Sequence, residues 1–261
     1  MKKLIWVPLS LLLLVGCSQE SSTAVHESVV TLPDFSLHSD VKEKKRAFFN
    51  FLRPIVQQEN EKVTIERKKM LEMEVRLKEK GGFAPKDARW LNQLADKYRV
   101  KMLSLDDGQA WILLKRRVDT VPFRLALAQA ANESSWGTSR FARQGLNLFG
   151  QWCFTPGCGL VPSHRAPGMT HEVASYASVN ESVAAYIRSI NRVQMYMPLR
   201  KLRRSIRKRG DKPSAVELAQ ELSGYSERGE AYVSEIQSMI RINYNLMSPP
   251  DVASQDSKRR I

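Results

Sequence analysis

In the stretch "QAANESSWGTSRFARQGLNLFG", residues 129 to 150, an Ala-rich segment delivers Glu133, Ser134, Ser135 and Trp136 together at its end. A helix built only for a core would keep its charges on the face away from the apolar rows. A carboxyl at the C-terminal end of an apolar helix, near Trp136 and Phe141, is desolvated and close to the negative end of the helix dipole. Both effects raise its pKa, which suits a general acid that protonates a glycosidic oxygen. Glu133 is therefore the candidate acid.

Glycoside cleavage commonly uses a second carboxylate, and Glu172 lies 39 positions further on in "HEVASYASV". Glu181 and Asp211 are weaker candidates, because both sit where they read as helix-start residues. Carboxyls roughly 6.5 to 9.5 Å apart indicate inversion by water, and carboxyls about 5 Å apart allow a nucleophile. No metal or other cofactor is expected. His26, His38, His164 and His171 are scattered, and "HEVAS" is not H-E-x-x-H.

The first residues, "MKKLIWVPLSLLLLVGCSQE", carry two lysines, a short apolar run from Leu4 to Val15, then Gly16 and Cys17. The run is short for a bilayer span and has the layout of an export signal. Leu14-Val15-Gly16-Cys17 fits a lipobox, so residues 1–16 read as a lipoprotein signal peptide and Cys17 as a lipidated residue. Ser18 after the cysteine resembles outer-membrane sorting, which places the protein on that membrane facing the periplasm. Cys153 and Cys158, bracketing Phe-Thr-Pro-Gly, then form a candidate disulfide loop in an exported chain.

A net charge of +14 would suggest nucleic acid in a cytoplasmic protein, an option that export removes. The anionic partners that remain are lipid phosphates and the carboxylates of cell-wall peptides. The run "RKLRRSIRKR", residues 200 to 209, holds basic residues and no acid, and reads either as a solvated helix face or as a contact with such a surface.

Positioning these residues requires helices. Residues 17–40 are Ser-rich, contain Pro33 and read as a flexible tether; its 23 residues after Cys17 reach at most about 75 Å. Residues 41–115 form a helical region: two helices broken near Pro54 to Asn60 and stopped at Gly81-Gly82, a third over Pro85 to Tyr98, and a fourth with Ser104 as N-cap. Residues 116–247 hold the catalytic-looking segment. There Thr120-Val121-Pro122 opens the Glu133 helix, residues 171–179 suggest a strand or hairpin, and helices follow near 180–196, 198–208, 213–223 and 229–242. Residues 248–261 read as a disordered tail. A mainly α body with one small β-hairpin lobe beside a helix-end carboxylate is the outline of a lysozyme-like (α+β) fold.

Glu133-Ser134, Gly137-Thr138-Ser139 and Asn147-Leu148-Phe149-Gly150 resemble the signature of glycoside hydrolase family 73, the endo-β-N-acetylglucosaminidases of bacterial cell-wall turnover. The likeness runs from about Lys42 to Tyr244. It implies cleavage of the β-1,4 bond after N-acetylglucosamine in peptidoglycan, a second glutamate on the β lobe, for which Glu172 is the candidate, and a cleft tyrosine. Tyr225 in "SGYSERGEAYVSEI" matches that tyrosine; the family's Asp-Pro is missing after it, and Tyr176 is the substitute. Trp136, Asn147, Phe149 and Trp152 offer a surface for sugar rings and acetamido groups, as does Tyr176. Two other readings remain. A lytic transglycosylase also uses one Glu after a helix, but follows its Glu-Ser with Gly-Leu-Met-Gln; a non-enzymatic lipoprotein would bind peptidoglycan without cleaving it.

Overall fold

The computed structural model describes residues 28–249. Its longest element is α1, Val41–Lys80, a single helix of 40 residues that spans about 60 Å. Asp40 caps its start by accepting from the Glu43 amide at 2.7 Å, and Gly81 ends it in a left-handed turn. The expected break near Pro54 is absent. A proline inside a helix costs roughly 3 kcal/mol. Phe48, Phe49, Leu52 and Val56 are fully buried around it, and each side chain so buried contributes about 1.5–3 kcal/mol, so packing holds the helix through the proline.

Helix α2 is Pro85–Lys97 and α3 is Gly108–Arg117. The cap of α3 is Asp107, whose Oδ1 accepts from the Ala110 amide at 3.0 Å, rather than Ser104, which supplies only the turn before it. Next comes α4, Phe123–Glu133, in which every residue from Leu125 to Ala131 is buried. It is the central helix, packed on α1 and on the later helices α8 (Ala215–Ala219), α9 (Glu230–Ile242) and α10 (Tyr244–Met247). Its alanines allow close approach. Buried residues of α1, α4, α6 (Val179–Arg192) and α9 belong to one continuous core.

After α5, Arg140–Gly145, the chain forms a small antiparallel sheet of β1 (Trp152–Cys153), β2 (Gly159–Leu160) and β3 (Glu172–Ala174) in the order β1-β3-β2. Of segment 171–179 only Glu172–Ala174 is strand, the central one of the lobe rather than a hairpin of its own, pairing Trp152 with Val173 on one side and Leu160 with Val173 on the other. Only glycine fits at 159, where a Cβ would lie 2.0 Å from the Val173 carbonyl oxygen.

Helix α6 stops at Arg192, and α7 is Met197–Lys208. The basic run on α7 turns inward, so neither expectation for it describes its centre. Arg200 donates to the carbonyls of Ile190 and Val193 at 2.8 and 2.7 Å. Arg203 is fully buried and donates to the carbonyls of Thr120 and Arg116 and to Asn191 Oδ1. Arg207 binds the buried Asp119 at 2.8 Å. Helix ends that leave carbonyls without partners explain why arginine, with five donors, occupies these positions.

The tether expectation fails over residues 28–37. Val29 bridges to α6, its amide on Asn180 Oδ1 at 2.9 Å and its carbonyl on the Val179 amide at 2.8 Å. Phe35 is 2% exposed and lies edge-on to Phe48 and Phe51. Apolar surface under α1 outweighs the polar composition of the segment. Ser248 is also buried and accepts from Arg124 at 2.8 Å, so it belongs to the body rather than the tail. The expected signal peptide over residues 1–16, the expected lipidation site Cys17, His26 and residues 250–261 lie outside the described residues. Among the described residues no helix is long and apolar enough to cross a membrane.

Candidate active site

Glu133 is the last residue of α4, and the turn that follows decides where its carboxyl points. Ser134 is buried and donates to the Ala130 carbonyl at 2.6 Å while accepting from the Gly137 amide at 2.8 Å. Ser135, Trp136 and Gly137 all take positive φ, a tight reversal that only short-range hydrogen bonds and packing can hold. A Cβ on Gly137 would come within 2.7 Å of the Phe35 ring, so the glycine in the motif is sterically required. Ser139 then caps α5 by accepting from the Ala142 amide at 3.2 Å.

The carboxyl lies among tyrosines. Gln129, one turn earlier on α4 and fully buried, accepts from the Tyr186 hydroxyl at 2.6 Å and donates to the Tyr232 hydroxyl at 2.9 Å. The Tyr232 hydroxyl also lies near Glu133, whose pKa it lowers. Tyr225 stacks on Tyr232 with centroids 5.4 Å apart and donates to the Phe149 carbonyl at 3.0 Å. Burial raises the Glu133 pKa from its ordinary value, partly offset by Tyr232 and by the charge of Arg228, while Glu235 raises it further. Burial also pushes Tyr196, which faces the same carboxyl, up to about 12.

Arg228 and Glu235 form an ion pair at 2.6 Å at the edge of the site. With its amide turned so that both ends are satisfied, Asn132 donates to Glu235 at 3.0 Å and accepts from Arg228 at 3.1 Å. Gly229, with φ of 51°, opens α9 at the point where the sequence lacks the family's Asp-Pro. Tyr232, Arg228 and Glu235 are site residues that sequence reasoning passed over. The available signal was the helical spacing of Tyr232 and Glu235 on one face of α9.

Glu172 does not join them as a free carboxylate. It is 8% exposed on β3, and its two oxygens accept from the amides of Gly157 at 3.0 Å and Gly159 at 2.8 Å. Those bonds hold its pKa below the ordinary value. Both oxygens serve the loop closed by the Cys153–Cys158 disulfide, whose Cα atoms are 6.2 Å apart. Of the alternatives, Glu181 accepts from the Ala177 amide at the start of α6, and Asp211 is paired with Arg209.

The expected sugar-binding residues divide. Asn147, 1% exposed, is a clamp: its amide donates to the carbonyls of Gln151 and Ala174, and its oxygen accepts from the amides of Phe149 and Gln151. Phe149, 2% exposed, stacks on Tyr186 with centroids 4.1 Å apart. Trp136 wedges edge-on against Phe48 and Phe49. These three build the site from beneath rather than line it. Tyr176 donates to Gln151 Oε1 at 2.8 Å. Trp152 is open: 56% exposed, stacked on His171, and flanked on the lobe by exposed Phe154. The sequence reading did not include Phe154.

The half-buried acid at the end of α4 thus lies beside the tyrosines of α9 and beside Gly150, from which the chain enters the β lobe with its exposed Trp152 and Phe154. Residues 108–245 match the sequence model of the glucosaminidase family, described as mannosyl-glycoprotein endo-beta-N-acetylglucosaminidase. The chain belongs to the glucosaminidase family. It is also similar to protein bax of Escherichia coli strain K12, with 31% identity over 218 residues that cover 84% of this chain and 76% of the relative. No solved structure matches it. As a glucosaminidase-family protein the chain is a glycoside hydrolase, and its fold is mainly α and lysozyme-like, with a small β lobe.

Proposed function

We propose that this glycoside hydrolase cleaves the β-1,4 bond after N-acetylglucosamine in peptidoglycan, with Glu133 as the proton donor. The observation that supports it best is the carboxyl at the end of α4, whose pKa burial raises from its ordinary value and which lies beside the Tyr232 hydroxyl. Glu133 gives its proton to the departing oxygen of the next sugar as the C1–O bond breaks. With both Glu172 oxygens held by loop amides, the acetamido oxygen of the N-acetylglucosamine is the best-placed nucleophile. It attacks C1, and the Glu133 carboxylate, steadied by Tyr232, then takes a proton from the water that opens the resulting ring. Trp152 and Phe154 supply flat apolar faces for sugar C–H surfaces.

A lytic transglycosylase fits the same single acid, so the products decide: mass spectrometry of digested sacculi should show reducing N-acetylglucosamine ends. Anhydromuramic ends would replace this reading with the transglycosylase, and intact sacculi with the non-enzymatic lipoprotein.

The lipobox at Leu14–Cys17 supports a lipid anchor on Cys17 and a place on the outer membrane facing the periplasm. Under that reading Cys17→Ser stays unacylated and moves to the soluble fraction. Absence of an acyl label on the wild-type chain would sink the anchor.

A further inference from the structure

The ends of three helices meet at one pole of the molecule: α2 at Lys97, α3 at Arg117 and α6 at Arg192. Negative helix ends draw cations, and part of the charge there is so explained. Arg117 donates to the carbonyls of Tyr98 and Arg99 at 2.8 and 2.6 Å. Of the nearby carboxylates, Glu59 is engaged with Lys62 and Asn180 and Glu66 with Lys97 and Tyr98, while Glu181 lines the same depression as Arg188 and Asp96 precedes Lys97, neither in an ion pair. Among the described residues Arg99, Arg116, Arg117, Arg188 and Arg192 make no ion pair. They are also close enough to repel one another: beyond the effect of burial, Arg99 and Arg188 lower the Arg192 pKa, and Arg116 and Arg99 lower that of Arg117. Guanidinium groups that outnumber the free carboxylates around them match phosphate, which they bind in bidentate fashion.

Two further observations fix what covers this face. The described chain starts on it, because Ser28 lines the same depression as Lys62, Lys97, Tyr98 and Arg188. Under the anchor reading, on which the choice of partner rests, the chain is held to the bilayer at Cys17, and the eleven residues from Cys17 to Glu27 reach no more than about 40 Å. The face also lies away from the cleft. Helix α4 begins at Phe123, shortly after Arg117, and carries Glu133 roughly 16 Å along its axis.

We propose that Arg99, Arg116, Arg117, Arg188 and Arg192 form a docking face for a membrane surface rich in lipid phosphates, which turns the Glu133 cleft outward, away from the bilayer. This goes beyond the catalytic reading and does not depend on it, since binding is measured without turnover.

The test uses the chain from Ser18 onward, which lacks the leader and Cys17 and keeps the whole continuous core. Co-sedimentation with phosphatidylglycerol vesicles should show salt-sensitive binding that phosphatidylcholine vesicles do not. Each cation near an anionic surface contributes about fivefold, so R99Q/R188Q should weaken binding about 25-fold. K42Q/K44Q, which removes equal charge near the start of α1, should change it less than about twofold. Melting temperatures without vesicles should match the wild type for both variants. Equal binding to the two lipids, an unaffected arginine variant, or an equal loss in the lysine control would overturn the proposal. So would retention on sacculi with none on vesicles.

Discussion

Gly150 presents bare backbone to Glu133: a Cβ there would stand 3.7 Å from Glu133 Oε2, and the residue holds φ at 63°. The last residue of the Asn147-Leu148-Phe149-Gly150 run therefore keeps one side of the acid open, and does so in a conformation that favours glycine. Tyr225 secures the arrangement from the other direction through the Phe149 carbonyl.

Gly150→Ala should lower stability by about 1–2 kcal/mol, the cost of a left-handed alanine. Its activity should fall by more than partial unfolding explains, because the methyl group narrows access to Glu133. Thermal melts read beside turnover at a temperature where the variant is folded check this; wild-type turnover would contradict it.

The pH dependence should move in opposite directions for the two members of the Arg228–Glu235 pair. Arg228 lowers the Glu133 pKa and Glu235 raises it. The alkaline limb of activity reports loss of the Glu133 proton, so Arg228→Gln should shift it to higher pH and Glu235→Gln to lower pH. Initial rates across a pH series settle the signs, and shifts in the same direction would contradict this electrostatic account.

Glu172→Gln should behave as a defect of the β lobe. Its folded pKa is depressed by the Gly157 and Gly159 amides. The carboxylate therefore stabilises the fold above the unfolded pKa, and that contribution is lost as pH falls through the folded value. The variant should melt below the wild type at neutral pH, with the gap closing in acid, and added azide should not restore any lost activity. Azide rescue would return Glu172 to catalysis.

Much of this was legible in the sequence because it is local. Glu133 ends an alanine-rich run, the cysteines bracket a turn, and Pro85 marks a helix start by a rule that acts within one turn. What was misread depends on distant partners. The aromatic contacts that carry α1 through Pro54 involve Phe35 and Trp136. Asn147 and Phe149 look like ligand-binding types, but the buried carbonyls of Gln151 and Ala174 and the ring of Tyr186 claim them. Tyr232 stands 99 positions from Glu133, and no spacing rule joins them. The arginines of α7 read as surface because helix ends that need donors are invisible until the helices are packed.

The most direct test of the account is Glu133→Gln, which keeps shape but has no proton to give. Its raised folded pKa means that Glu133 favours the fold below its unfolded pKa and loses that contribution as pH rises through the folded value. The variant should therefore melt at or above the wild-type temperature near neutral pH. Release of reducing N-acetylglucosamine ends from purified sacculi should fall by about 10²-fold to 10⁴-fold while sacculus binding persists. Near-wild-type release by the folded variant would contradict the assignment of Glu133 as the acid.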